Sequence, residues 1–289
     1  DIRNVTTPDM GADEFTATGS GAGVWRGVTT DWMDINNWCG EVPTATTNVT
    51  IPAAAAFYPI ITTTAPVARN ITIIAGGSIE VTSTGKLGIY GSITNGGLFR
   101  VGSGTIEMLG ASQTIPAGAF ENDSLKNLII SNTPVTLGGT LNVYGKLSFT
   151  GSNRVFATAG FLTLKSNAAG TASVGDITNN GANTGNSITG NVTVERFMSA
   201  RRAWRFLSVP TQNNLQTIHE AWQENQPANA TTPIGYGIHI TKDSANWNTT
   251  GFDLQTTPGP SMKYYVPASN AWKGITSTIN AGGSDGKFV

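Results

Sequence analysis

Three indoles stand closest to chemistry in this sequence. Trp25, Trp32 and Trp38 fall together in "VWRGVTTDWMDINNWCGEVP". Exposed indoles stack on the apolar faces of sugar rings, so the three are candidate glycan ligands. The competing reading is structural, because large aromatic rings bury roughly 150–250 Å² each and suit the sealing of an open sheet edge. Among them, Asp31, Asp34, Asn36 and Asn37 place four oxygen-bearing side chains within seven residues. Calcium takes about six to eight oxygens. The spacing lacks both the glycine and the bidentate glutamate of an EF-hand loop, so a turn held by Asx side chains is the expectation and no metal site is assigned.

Other chemistry has less footing. Glu195, Arg196, Arg201, Arg202 and Arg205 form the densest charge cluster. They could hold an anion or a polysaccharide, or sit on a junction strand where Arg pairs with Glu195 and stacks on Trp204. His219 and His239 lack a nearby nucleophile motif. Glycoside hydrolysis needs two carboxylates roughly 5–10 Å apart. Between Ser92 and Ser187 the acids are Glu107, Glu121, Asp123 and Asp176, at spacings that suggest no shared face. The chain therefore reads as a non-enzyme with no catalytic residues and no cofactor. Its lone cysteine, Cys39, excludes an internal disulfide and reads as a small buried hydrophobe.

What must position such residues is a sheet. The 289 residues include 35 Gly and only 12% charged residues, with a net charge of −1. That balance argues against nucleic-acid partners, and no apolar run reaches the ~18 residues of a membrane helix. From Ile71 onward, apolar pairs recur at i, i+2: Ile71/Ile73, Ile79/Val81, Leu87/Ile89, Ile106/Met108, Leu128/Ile130, Val135/Leu137, Leu141/Val143 and Leu162/Leu164. Each pair lies on one face of a short strand. Gly, Asn, Ser and Thr fill the intervals and mark turns.

"KLGIYGSI" (86–93) and "TLNVYGKL" (140–147) share four positions at an offset of 54. "RNITI" (69–73) parallels "KNLII" (126–130), and "SIEV" (78–81) parallels "PVTL" (134–137). Stacked coils give equivalent positions equivalent neighbours, so such echoes predict a solenoid. The expected fold is all-β: a right-handed parallel β-helix followed by a smaller, sandwich-like β-rich segment. Leu87 and Leu141 are expected to share one interior column. A Greek-key sandwich built from duplicated hairpins is the competing architecture. The expected division is a tail or linker over 1–23, a Trp-capped solenoid over 24–195 and a truncated β-rich segment over 196–289. One short helix is expected within 215–225.

The flanks carry a resemblance. Trp25-x-Gly27, Asp31-Trp32, Asn37-Trp38, Gly40, Val42-Pro43 and Ile51-Pro52 are similar to the module start of very large secreted surface proteins of Bacteroidetes-type bacteria. "VTVERF…RAWRFLSVP", "AWQEN", "GIHIT" and "GFD" resemble the segment after the β-solenoid in those proteins, and "TPDMGADEF" resembles the end of a preceding β-helix. The resemblance implies extracellular or cell-surface display by type IX secretion in adhesin-like proteins. Its implied partners are surface glycans or proteins, and the secretion or surface machinery itself. "DSL" and "DSA" resemble the O-glycosylation signal of such bacteria, which makes Ser124 and Ser244 the acceptors. The function so implied is a non-catalytic structural or adhesive module, with a carbohydrate-binding or carbohydrate-active module as the alternative.

Overall fold

Alternation of aliphatic and hydroxyl side chains at period two, cut every few residues by glycine or asparagine, gives strands too short to do anything but stack. The computed structural model describes residues 21–178, 180–199, 204–206, 216–224, 238–242, 246–254 and 259–279. The chain divides into two compact units, 1–201 and 202–289. The first is a parallel β-solenoid of about 6 turns.

Three ladders run along it. On the first, Val49, Ile71 and Ile93 stack at 22-residue intervals, and Thr50, Thr72 and Thr94 keep the same register outward. The ladder resumes with Gln113, Val135, Phe156 and Ile188. On the second, Val101, Leu125, Val143, Leu164 and Val194 form one interior column, and Leu141, Leu162 and Val192 form another. On the third, Leu87, Ile106, Leu128, Leu147 and Val174 stack, beside Ile89, Met108, Ile130 and Phe149. The strand Leu98–Met108 turns the corner between the second and third ladders unbroken, which merges them into one 11-stranded sheet. Apart from Val174, these third-ladder residues run from partly to fully buried, with Leu87, Ile106, Leu128 and Leu147 at the centre of the core. Each fully buried aliphatic side chain contributes about 1.5–3 kcal/mol relative to exposure.

The twin octets do not lie on matching rungs. Leu87 and Leu141 both point inward, but Leu87 belongs to the third ladder and Leu141 to the second. The same displacement holds for the other echoes. Ile71 lies on the first ladder and its counterpart Leu128 on the third, while Ile79 lies on the second and Val135 on the first. The echo spans two full coils plus two further faces. A three-sided coil explains this: every face demands an inward i, i+2 pair followed by a Gly or Asn corner, so any corner can resemble any other.

Coils pack backbone to backbone at the corners. A Cβ on Gly110 would lie 1.8 Å from the Tyr90 carbonyl oxygen of the preceding coil, and one on Gly85 would lie 2.0 Å from that of Ile61. Where the first ladder pauses between Asn95 and Gln113, the Gln113 side chain spans the step. Its Nε2 donates to the carbonyls of Ile89 (3.0 Å) and Gly91 (2.8 Å), and its Oε1 accepts from Gly110 N–H at 2.6 Å. This interior amide is fully bonded, which offsets the cost of burying it. The last coil is longer: 32 residues separate Phe156 from Ile188, and 30 separate Leu164 from Val194. The excess forms a small hairpin, Ser166–Asn167 with Gly170–Thr171, and loop segments over 175–178 and 180–186. Asn186 Nδ2 ties the second of these segments down by donating to the Gly151 carbonyl at 2.9 Å.

The second unit is smaller and β-rich. Ile218, Ile240, Phe252 and Ile275 form its core. The helix Ile218–Trp222 begins with a capping box: Thr217 Oγ1 accepts from Glu220 N–H (3.1 Å) and Glu220 Oε2 accepts from Thr217 N–H (2.8 Å). It lies within the predicted stretch and stops at Trp222, just before Glu224, whose φ of 52° a continuing helix forbids. Thr241–Lys242 pairs in parallel with Asp253–Leu254, and Lys263–Val266 pairs antiparallel with Ala271–Gly274.

Candidate functional site

The three sequence-predicted tryptophans come together at the first rung. Val24 pairs with Thr50 in parallel, which adds one rung below Val49–Ile51. The chain then loops and returns antiparallel: Cys39 N–H donates to the Val24 carbonyl at 2.9 Å and Arg26 N–H to that of Asn37 at 2.7 Å. This return pairs an edge that would otherwise offer open backbone groups. Trp38 lies edge-on to Trp25 (centroids 4.9 Å apart) and to Trp32 (4.7 Å). All three are 1% exposed. Trp25 Nε1 donates to the Phe57 carbonyl and Trp38 Nε1 to that of Trp32, each at 2.7 Å. Buried edge-to-face against one another, the rings offer a sugar no surface to stack on; what they do is close the end of the core.

The Asp31–Asn37 loop supports that closure. Asp31 Oδ1 accepts from Met33 N–H (2.9 Å) and Asp34 Oδ1 from Asn36 N–H (3.0 Å). Asn37 is fully buried and fully bonded, accepting from Thr29 N–H and donating to Thr29 Oγ1 and the Asp31 carbonyl, all at 2.7 Å. These oxygens hold an Asx-turn network.

The remaining predicted residues are dispersed. Ser124 is half-buried at the start of strand Ser124–Ile130, where its Oγ donates to the Asn122 carbonyl at 2.8 Å. Ser244, Arg201, Arg202, Leu215 and the segment 1–20 lie outside the described residues. Glu195 pairs with Lys165, one coil below, and accepts from Ser166 N–H at 3.2 Å. Glu107 is held by Lys86 Nζ (2.5 Å) and Ser131 Oγ (2.6 Å). Glu121 pairs with Arg100 at 3.3 Å, and Asp123 accepts from Gly118 N–H at 3.0 Å. Asp176 accepts from both the hydroxyl and the N–H of Thr178, which hold its carboxyl below the usual carboxylate range. His239 Nε2 lies 3.7 Å from Asp253 Oδ2, whereas His219 Nδ1 faces Gln223 Oε1 on its own helix. Cys39 is half-buried.

A cluster of exposed aromatic rings lies in the second unit. Tyr265 and Trp272 are cross-strand partners of the hairpin Lys263–Val266/Ala271–Gly274, with ring centroids 5.3 Å apart. Phe206 packs on Trp272 at 5.7 Å, and Lys263 Nζ sits 5.3 Å from the Trp204 ring centroid. These rings face water: Trp204 is 75% exposed, Phe206 88%, Trp272 52% and Tyr265 44%. The phenol of Tyr265 is anchored on Asn270 Oδ1. Asn270 takes φ 48° at the tip between the strands, where a short polar side chain tolerates the left-handed region. The sequence reading placed a candidate polysaccharide contact on 196–205, which supplies Trp204, but missed the hairpin. The usable signal was aromatic residues on the outward positions of "MKYYVPASNAWKG".

A family model described as "Domain of unknown function (DUF8693)" matches residues 24–108, from the tryptophan cap to the end of strand Leu98–Met108. No curated protein and no solved structure matches the chain. Over that stretch, the cap and the coils stacked directly on it, the sequence is similar to this family of unassigned function.

Proposed function

We propose that the chain is a non-catalytic structural and adhesive module of a large extracellular bacterial surface protein, exported by type IX secretion. One observation carries the reading: parallel ladders stacked around an aliphatic interior, closed at the first rung by three packed indoles. Such a stack is stiff because each rung is held by its neighbours through ladder hydrogen bonds. Two of its outward columns are neutral. Thr50, Thr72 and Thr94 line one, and Asn70 Nδ2 donates to Asn48 Oδ1 at 2.8 Å across successive coils in another. Neutral hydroxyl and amide surfaces suit many weak contacts with surface glycans or proteins, or with the secretion machinery that would carry the module.

An antibody raised to residues 24–195, applied to intact cells of the parent organism, tests the reading. Labelling that protease shaving removes supports display; labelling only after permeabilisation overturns it. Turnover of any polysaccharide by the purified chain would overturn the non-catalytic part. The alternative of a carbohydrate-binding module is favoured by a separate observation, the exposed aromatic hairpin.

A further inference from the structure

The hairpin patch has an unusual combination of properties. Soluble proteins scatter exposed aromatic residues singly, and contiguous exposed apolar surface marks a binding site. Here Phe206, Trp272 and Tyr265 form a chain of ring contacts 5.3–5.7 Å apart, and Trp204 joins the patch through Lys263. Tyr265 and Trp272 are presented by an antiparallel pair whose register fixes both rings on one face. Anchoring of the Tyr265 hydroxyl on Asn270 restricts that ring further, so little side-chain freedom remains to be lost on binding.

Charge narrows the ligand. The described cations nearest the rings are Arg205, between Trp204 and Phe206 in sequence, and Lys263 and Lys273 on the two hairpin strands, and the sequence has no Asp or Glu over 196–219 or 254–284. The chain as a whole is nearly neutral, at −1, so these cations stand out. The ligand that fits has flat apolar faces bordered by negative charge. A pyranose ring presents axial C–H groups on one face, which an aromatic quadrupole attracts, and a uronic acid adds one carboxylate at the ring edge. Lys263 Nζ, held 5.3 Å from the Trp204 ring centroid, sits where that carboxylate would need a partner. A single-stranded nucleic acid also offers stacking faces and negative charge, but its density of phosphates calls for an extended basic groove, which a chain of net charge −1 does not favour.

We propose that the exposed hairpin of the second unit, with Trp204, Phe206, Tyr265 and Trp272 as the stacking surface and Lys263 as the anion contact, binds uronate-bearing polysaccharide. This goes beyond the structural role of the solenoid and would hold whether or not that role does. The experiment is affinity electrophoresis of the purified full chain through gels containing polygalacturonate, with dextran as the neutral control and an oligodeoxythymidine gel shift alongside. The wild-type chain should be retarded by polygalacturonate, and Trp272→Ala and Phe206→Ala should each weaken the dissociation constant at least fivefold. Lys263→Gln should weaken it threefold or more and flatten its dependence on salt. Phe206 is 88% exposed, so its replacement leaves the fold intact even if loss of Trp272 disturbs the hairpin. No retardation of the wild-type chain overturns the proposal. So does equal retardation of the Phe206→Ala chain, equal affinity for dextran, or a shift with the oligonucleotide alone.

Discussion

If the echoing octets sit on different faces, the energetics of their leucines must say so. Leu128 is fully buried between Ile106 and Leu147 on the third ladder. Truncation to alanine removes three carbons, about 2.4 kcal/mol at ~0.8 kcal/mol per carbon. An unrelaxed gap of ~50 Å³ adds about 1.2 kcal/mol at ~24 cal/mol per Å³, so Leu128→Ala should cost about 3–4 kcal/mol. Leu147→Ala should cost a similar amount, and the pair should couple by about 1 kcal/mol, since the second truncation enlarges a void already present. Leu87 and Leu141 lie in separate columns, so their effects should add within about 0.5 kcal/mol. Urea unfolding followed by far-UV circular dichroism reads all six variants, with m-values compared to confirm that the same structure is lost. A coupling above 1 kcal/mol between Leu87 and Leu141, with Leu128 and Leu147 strictly additive, would show that the octets share a column and that the face assignment is wrong.

Other consequences are as direct. Trp38→Ala removes the ring against which both other indoles lie, and should cost about 3–5 kcal/mol in the same unfolding assay. Gly110→Ala should destabilise by at least about 1–3 kcal/mol because the added carbon meets the neighbouring coil's backbone, whereas Gly102, with no atom within 4 Å, should accept alanine with little change. The Asp176 carboxyl is held below its ordinary value by Thr178, so its folded pKa lies under its unfolded one. The turn therefore contributes fully above the unfolded value and loses that contribution as pH falls through the folded one. Thr178→Ala should move the Asp176 titration upward, read from its carboxyl ¹³C shift.

The architecture was legible because the i, i+2 pairs are an inward-facing code that few folds other than a stacked coil can satisfy. Ile71/Ile73, Leu128/Ile130 and Leu162/Leu164 all lie in interior columns. The register was not legible. Nothing in "KLGIYGSI" distinguishes the corner after the third ladder from the corner after the second, because local chemistry is the same at both. The tryptophan spacing identified a cluster but left its burial open; that depends on the return strand 37–39, a non-local pairing. The aromatic hairpin was hidden for the opposite reason. Its rings come from positions 204–206 and 265–272, and only folding assembles them.

The long final coil has a consequence of its own. It takes in roughly ten more residues than its neighbours, yet Phe156 still meets Ile188 and Leu164 still meets Val194 in step. A corner is thus a free parameter: material spliced in there is extruded sideways while the rungs above and below close up as before. Such a scaffold can vary what it shows to the outside world without renegotiating how it stands, and the hairpin at 166–171 marks a natural graft point for a foreign peptide.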